Sequence, residues 1–301
     1  MNKKSILVVG SVALDTVETP SGRVEEVLGG SATYFALAAS LFAPVRLLGV
    51  AGKDFPQKYL RKFQKRGIDI SGLKILDGRT FRWSGRYREN LNEAETLSVC
   101  QNVLKHFPEV PGHYSDSPLV FLANTDPVTQ RKTLEYLSAP RLVACDTMNL
   151  WIRTRKSELK KLLQKVDILI VNDSEARMLT GRSNLPAAVW ALLEHGPKTV
   201  IVKKGEHGAF LCTAGELFAV PAYPLHQVVD PTGAGDSFAG GFLGYLSCCP
   251  RITPAMIRKA VVYGAVVASF TVEDFSTRRL EKITLQDITS RFQEMRKIVR
   301  F

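Results

Sequence analysis

The amino-acid sequence predicts an α/β fold: a doubly wound, mostly parallel central sheet covered by helices on both faces, with a small β lid. Three observations predict it. Apolar, β-type runs alternate with amphipathic segments along most of the chain. Those runs are apolar throughout, as strands buried on both faces are. Two short stretches instead alternate with polar residues, which suits strands that keep one wet face.

Residues 6–12 read as the first buried strand, and residues 32–42 as the first helix. In that helix Tyr34, Leu37, Ala38 and Leu41 fall at i, i+3, i+4 and i+7, which is one helical face. A strand at 45–50 and a helix at 56–66 follow. Strands at 119–123, 142–145, 168–171 and 199–202 then alternate with helical patterns at 128–137, 156–164, 174–180 and 185–194. Residues 205–220 read as a hairpin, and the C-terminal third is mostly helical. Thr253-Pro254 opens a helix there, with Thr as cap and Pro in the first turn. Outside the alternation, residues 22–28 and 80–87 (TFRWSGRY) read as lid strands, near 20–28 and 78–100. No repeat, low-complexity tract or linker divides the chain, so residues 1–301 are expected to form a single domain with its lid.

Hydrophobic residues make up 45% and charged residues 23%, a globular composition. No apolar run approaches the ~20 residues that span a bilayer. The opening MNKKSILVVGSVALD has lysines before an apolar segment, as signal peptides do. That segment is short, β-rich and reaches Asp15 without a small-residue cleavage site, so a buried strand is expected instead. Cys100, Cys145, Cys212, Cys248 and Cys249 are scattered without a CxxC, which argues against a disulfide framework or zinc site and fits a reducing cytoplasm. The 40 Lys+Arg against 29 Asp+Glu give +11, a charge that attracts phosphorylated small molecules or nucleic acid. The basic residues are dispersed over helical stretches without a zinc finger or RNP-like segment, so neither nucleic acid nor membrane is an expected partner.

The stretch VVDPTGAGDSFAGGFLGYL, residues 228–246, sets Asp230 and Asp236 around Gly233-Ala234-Gly235 at a helix start. A dinucleotide fingerprint needs a third glycine where Phe238 stands, and a Walker loop needs GxxxxGK[ST], which is absent. Two readings remain. In one, the N–H groups of Gly233, Ala234 and Gly235 form an anion hole for a phosphoryl group, and Asp236 accepts the proton of the attacking hydroxyl. In the other, Asp236 caps a tight glycine turn. Helix-start N–H groups are expected to lower the pKa of Asp236 and keep it ionised at neutral pH. The small residues Ala239, Gly240, Gly241 and Gly244 let the helix pack closely.

The segment DPTGAGDSF, Asp230 to Phe238, resembles the C-terminal signature of the ribokinase (PfkB) family of carbohydrate and nucleoside kinases. Gly29-Gly30-Ser31-Ala32, preceded by Gly10-Ser11 and Asp15, resembles the N-terminal one. Asn172-Asp173-Ser174-Glu175 is similar to the family's N-x-x-E motif, and Val202 to Ala209 (VKKGEHGA) to its nucleotide-proximal strand and turn. Four motifs stand in family order from about Ile6 to the C-terminal helices. The resemblance implies a ribokinase-like fold and an ATP-dependent transfer of the γ-phosphoryl group to a hydroxyl of a sugar. The alternatives are a nucleoside kinase, adenosine kinase-like, or a non-catalytic sugar or nucleotide sensor, against which the intact Asp236 and its glycines speak.

Carried over, the resemblance implies that Asp236 is the base and that Gly233, Ala234 and Gly235 form the anion hole. Asp15, Gly29 and Gly30, with Ser31 beside them, would hold the acceptor. Asn172 and Glu175 would organise Mg²⁺, Glu175 through water. Lys203, Gly205, Gly208 and Thr232 would lie at the nucleotide. Asp230 and Thr232 match positions that bind a monovalent cation in some members. Without the family match, Glu175 also reads as a first-turn acid favoured by the helix dipole and Lys203 as a surface lysine. Three departures stand out: Tyr34 where many members have Asn, Ser31 where ribokinase-like chains have Lys, and Val272-Glu273-Asp274-Phe275 where a glycine is usual near the cation loop. The last argues against potassium activation.

Phe81, Trp83 and Tyr87 read either as a stacking surface for a nucleobase or as a hydrophobic lid core. Arg82, Arg86 and Arg88 fall at even positions and could reach a phosphate on the acceptor. Asp146-Thr147-Met148-Asn149 ends a central strand where open α/β sheets place ligands, so Asn149 is a candidate contact to acceptor or phosphate, or a turn residue. An exposed lid edge could pair two copies into a homodimer.

Overall fold

The computed structural model describes residues 4–300; Lys3, the first lysine of the basic opening, lies outside them. β1 (Ile6–Val9) enters the core wholly buried. It is shorter than the expected strand at 6–12, because Gly10 passes so close to Ser31, Ala32 and Ala123 that a Cβ there would overlap them. The chain turns and leaves the main sheet as β2 (Ala13–Thr19), followed by β3 (Gly22–Gly29). α1 (Ser31–Ala39), β4 (Val45–Gly52) and α2 (Gln57–Lys65) follow. β5 (Ile68–Leu76) is a strand the apolar-run criterion misses, since Asp69, Ser71 and Lys74 interrupt it. β6 (Phe81–Tyr87) and β7 (Ala94–Cys100) return to the lid.

β8 (Leu119–Leu122), α3 (Pro127–Leu134), β9 (Leu142–Cys145), α4 (Asn149–Thr154) and α5 (Lys156–Leu163) begin the second half. β10 (Ile168–Asn172), α6 (Asp173–Thr180), α7 (Leu185–Leu193) and β11 (Thr199–Lys203) continue the alternation. The hairpin is β12 (Ala209–Thr213) and β13 (Glu216–Val220). α8 (Ala234–Ser247), α9 (Pro254–Thr271) and α10 (Leu285–Ile298) close the chain. Thr253 caps α9 by accepting the Met256 N–H, as its position before Pro254 predicts.

The main sheet has nine strands in the order β13-β12-β11-β10-β9-β8-β1-β4-β5, and among them only β12 runs against the others. Two apolar cores lie on its two faces, one built around α1, α8 and α9 and the other around α5 to α7. The lid is a four-stranded sheet, β3-β2-β6-β7, where the sequence alone suggested two strands. All five cysteines are unpaired, and no helix among the described residues is long and apolar enough to cross a membrane.

α8 aims its N-terminus at the ends of the central strands because its flanks are small. A Cβ at Gly240 would meet the Phe35 carbonyl of α1, and one at Gly241 would meet Val267 of α9. Gly240→Ala is expected to cost about 1–3 kcal/mol through overpacking against α1, read as a lower urea midpoint at unchanged m-value.

Candidate active site

The loop before α8 turns through Gly233, which adopts φ 76° as the N-cap. The Tyr34 ring lies against it, so a Cβ at that position would overlap the ring. The amides of Gly233 and Gly235 have no acceptor among the described residues, whereas the Ala234 N–H turns back to the Pro231 carbonyl at 3.2 Å. The anion hole is therefore narrower than expected, with two free donors at a helix start. Asp236 stands in the first turn and makes no capping bond to the helix.

Asp236 does not stand alone. Its carboxyl lies within hydrogen-bonding reach of Asp146, at the end of β9, and in the field of Lys203, at the end of β11. Burial pushes Asp236 up to about 6, against the pull of Lys203, the Asp146 hydrogen bond and its own backbone N–H. The expectation of a lowered pKa is thus reversed, because desolvation outweighs the helix start. Burial and the neighbouring carboxylates hold Asp146 well above the usual range, so the pair retains a proton that neither residue owns alone. Asp146 was not singled out from the sequence; its position at a strand end was the only signal.

Lys203 faces Gly235, where an added Cβ would crowd its ammonium, and it makes no ion pair among the described residues. It also lies in the field of Glu175. Asn172 and Glu175 form a reciprocal capping box on α6: Glu175 Oε2 accepts the Asn172 N–H at 2.8 Å, and Asn172 Oδ1 accepts the Glu175 N–H at 2.7 Å. Glu175 is 7% exposed, and burial raises its pKa while Lys203 lowers it. Beside it Asp146 Oδ1, Thr147 Oγ1 and Asn149 Oδ1 are buried without partners. Among the described residues no three acidic, imidazole or thiol groups converge enough to cage a metal directly. This donor set fits Mg²⁺, which keeps most of its waters and binds phosphate oxygens.

The residues expected to hold the acceptor gather at β2. Asp15 is 4% exposed and accepts the Gly30 N–H at 3.3 Å. Gly29 must be glycine, since a Cβ would fall on the Asp15 carboxyl, and Gly30 (φ 96°) presses on the Ser11 carbonyl. Ser31 does not face the pocket: its hydroxyl is shared with Ser11 Oγ at 3.0 Å and donates to the Asn124 carbonyl at 3.1 Å. Tyr34, in the family's Asn position, is 1% exposed with an unpartnered hydroxyl in the field of Asp230, Asp15 and Asp236. The lid closes on this pocket through Thr232, whose hydroxyl donates to Tyr87 Oη at 3.3 Å.

The lid arginines do not reach the pocket. Arg82 binds Glu26 and Asp54, Arg86 binds Glu18, and Arg88 binds Glu95. Asp230 is fully buried and accepts the N–H groups of Thr232 at 2.9 Å and Ser276 at 3.0 Å. After β11, where the nucleotide is expected, Gly205 (φ 55°) leaves room for Asn92 at the tip of the lid, which bonds Glu206 through both its amide atoms. Gly208 instead packs on the Val220 carbonyl and closes the turn through Lys204 N–H at 2.7 Å. It shapes the loop rather than facing a ligand.

A family model described as pfkB family carbohydrate kinase matches residues 134–283. A cytidine kinase of Thermococcus kodakarensis is 34% identical over 248 residues, 80% of this chain and 88% of that relative. A nucleoside kinase of Methanocaldococcus jannaschii is 26% identical over 285 residues, 90% of this chain and 91% of that one. The crystal structure of the latter nucleoside kinase aligns with a TM-score of 0.79 at 23% identity, covering 98% and 100% of the two chains. Fold and site together define an ATP-dependent small-molecule kinase with an alcohol as phosphoryl acceptor. The chain belongs to the pfkB family of carbohydrate kinases.

Two titrations follow. With Asp236 as the expected base, kcat/KM is expected to rise with pH through about 6, where Asp236 ionises and Asp146, held well above the usual range, keeps its proton. Asp15 is raised from 3.8 to about 7, so the folded state holds a proton the unfolded chain releases, and stability falls as pH climbs between those values. Asp15→Asn is therefore expected to raise Tm at pH above about 7 and to lose that gain as pH falls toward 3.8, checked by calorimetry across the range.

Proposed function

We propose that the acceptor is an uncharged nucleoside, phosphorylated on a hydroxyl of its sugar. The observation that carries this reading is the charge around Asp15: it is buried, and among the described residues the arginines of β6 and just after it, Arg82, Arg86 and Arg88, are each already bound to a carboxylate. A phosphorylated acceptor would meet Asp15 with nothing to offset its charge. The relative named cytidine kinase, at 34% identity, agrees with a nucleoside.

In the proposed reaction Asp15 accepts hydrogen bonds from the sugar and turns one hydroxyl toward Asp236. Asp236 takes that hydroxyl's proton as the oxygen attacks the γ-phosphorus of ATP, the new O–P bond forms, the bond to the bridging oxygen breaks and ADP departs. The free amides of Gly233 and Gly235 and the Lys203 ammonium stabilise the charge on the transferring group. Bound Mg²⁺ would neutralise phosphate charge beside Glu175, Asp146 and Asn149. The lid, pinned at Thr232 by Tyr87, excludes water from the exchange.

Asp230 already receives two amide protons where a monovalent cation would sit in some members, so activity is proposed to be independent of potassium. Equal rates in potassium and choline buffers are expected. The edge strand β7, exposed along its whole length, supports a homodimer paired through the lid. A panel of nucleosides, free sugars and sugar phosphates, scored by ADP release, tests the acceptor: nucleosides are expected to turn over and sugar phosphates to stay inert. Preference for a sugar phosphate would overturn the reading. Asp236→Asn is expected to lower kcat about 10²- to 10⁴-fold with acceptor binding retained.

A further inference from the structure

We propose that Trp83 is the platform on which the acceptor's nucleobase stacks, so that one indole of the lid separates nucleosides from free sugars; this rests on the nucleoside reading above. β2 and β6 run parallel, with Asp15 opposite Trp83. Residues paired in this way project from the same face of a sheet, and neighbouring strands lie about 4.8 Å apart. That is the scale of the step from a sugar's hydroxyls to its base. Tyr87 shares the face by alternation along β6, and its contact with Thr232 fixes that face over the anion-hole loop.

The indole is held flat. Its six-membered ring lies across Gly85, where a Cβ would overlap Cη2, Cζ2 and Cζ3, so only glycine allows this seat. The Nε1–H donates to Thr96 Oγ1 at 3.3 Å, which fixes the other edge. The ring remains partly exposed and makes no aromatic or cation–π pair among the described residues. A lid-core tryptophan would be covered; this one stays partly exposed on the strand face it shares with the buried Asp15. Arg82 and Arg86 alternate onto the opposite face and are bound to acids there. Beside Asp15 the pocket side thus offers a flat apolar surface without a free arginine, which suits a neutral aromatic ring attached to a sugar. Stacking tolerates every base because each has a π face, so both pyrimidine and purine nucleosides fit.

The test compares the full-length protein with Trp83→Phe and Trp83→Ala, using cytidine, inosine and ribose as acceptors with ATP. Trp83→Ala is expected to raise KM for both nucleosides roughly 10- to 100-fold, with KM for ATP and any ribose turnover unchanged. Trp83→Phe keeps an aromatic face and should retain most of the affinity. Cytidine should quench the fluorescence of the wild type but not of Trp83→Phe, in which Trp151 and Trp190 remain. Nucleoside KM values unmoved in Trp83→Ala, or nucleoside and ribose turnover falling together, would overturn the platform alone. Failure of the wild type to phosphorylate any nucleoside would overturn the acceptor reading and the platform with it.

Discussion

Three carboxyl groups share one ammonium at the ends of three adjacent strands, and the rest of the site depends on that imbalance. Asp146 follows β9, Glu175 follows β10, Lys203 ends β11, and Asp236 reaches them from α8. Removed from water, one lysine cannot hold three ionised acids, so the site keeps a proton on the Asp146–Asp236 pair. The same deficit of positive charge makes the pocket receptive to a divalent cation. Such a cation and the phosphates it carries are complementary to what the protein leaves unbalanced.

The architecture creates the dryness that gives these charges their weight. β2 leaves the main sheet after Gly10 and becomes an inner strand of the lid, so Asp15 belongs to the roof while Gly29 and Gly30 bring the floor against it. The lid then touches the chain at both ends of the cleft, Tyr87 at Thr232 and Asn92 at Glu206. The lid therefore spans the cleft from the α8 loop to the β11 turn. Its arginines Arg82 and Arg86 are bound to acids, leaving Asp15 on the inner face without an arginine partner.

What was legible in the sequence was local. Buried parallel strands read as unbroken apolar runs, and β8 to β11 fall within a residue of their expected limits. The GAGD turn and the N-x-x-E box are each written within a few residues, so they could be recognised without coordinates. Contacts made across the fold were not legible. β5 hides behind Asp69, Ser71 and Lys74, and β2 follows so soon after the expected first strand at 6–12 that no local pattern marks it as a separate lid strand. Asp146 becomes important only because β9 lies beside β10, which no local pattern states. The sign of the Asp236 shift was misjudged for the same reason: the helix start is visible in sequence, while burial and a second carboxyl are not.

Capping and reactivity looked like rival roles for an acid in the first turn of a helix, and the two helices divide them. Glu175 accepts the Asn172 N–H, and that bond fixes the rotamer of a carboxylate whose second oxygen stays uncommitted. Asp236 begins an equivalent turn, yet the N-cap of α8 is Gly233, which has no side chain to share a capping box, and the Asp236 carboxyl bonds its own N–H and Asp146 instead. An acid committed to the backbone is held still, which suits a group that must position a cation and its waters. An acid left free, with a pKa near 6, is strong enough to accept a proton and weak enough to be ionised at neutral pH. Gly233, left-handed at φ 76°, starts the helix without a side-chain cap, so the first-turn amide of Gly235 stays free to meet an anion.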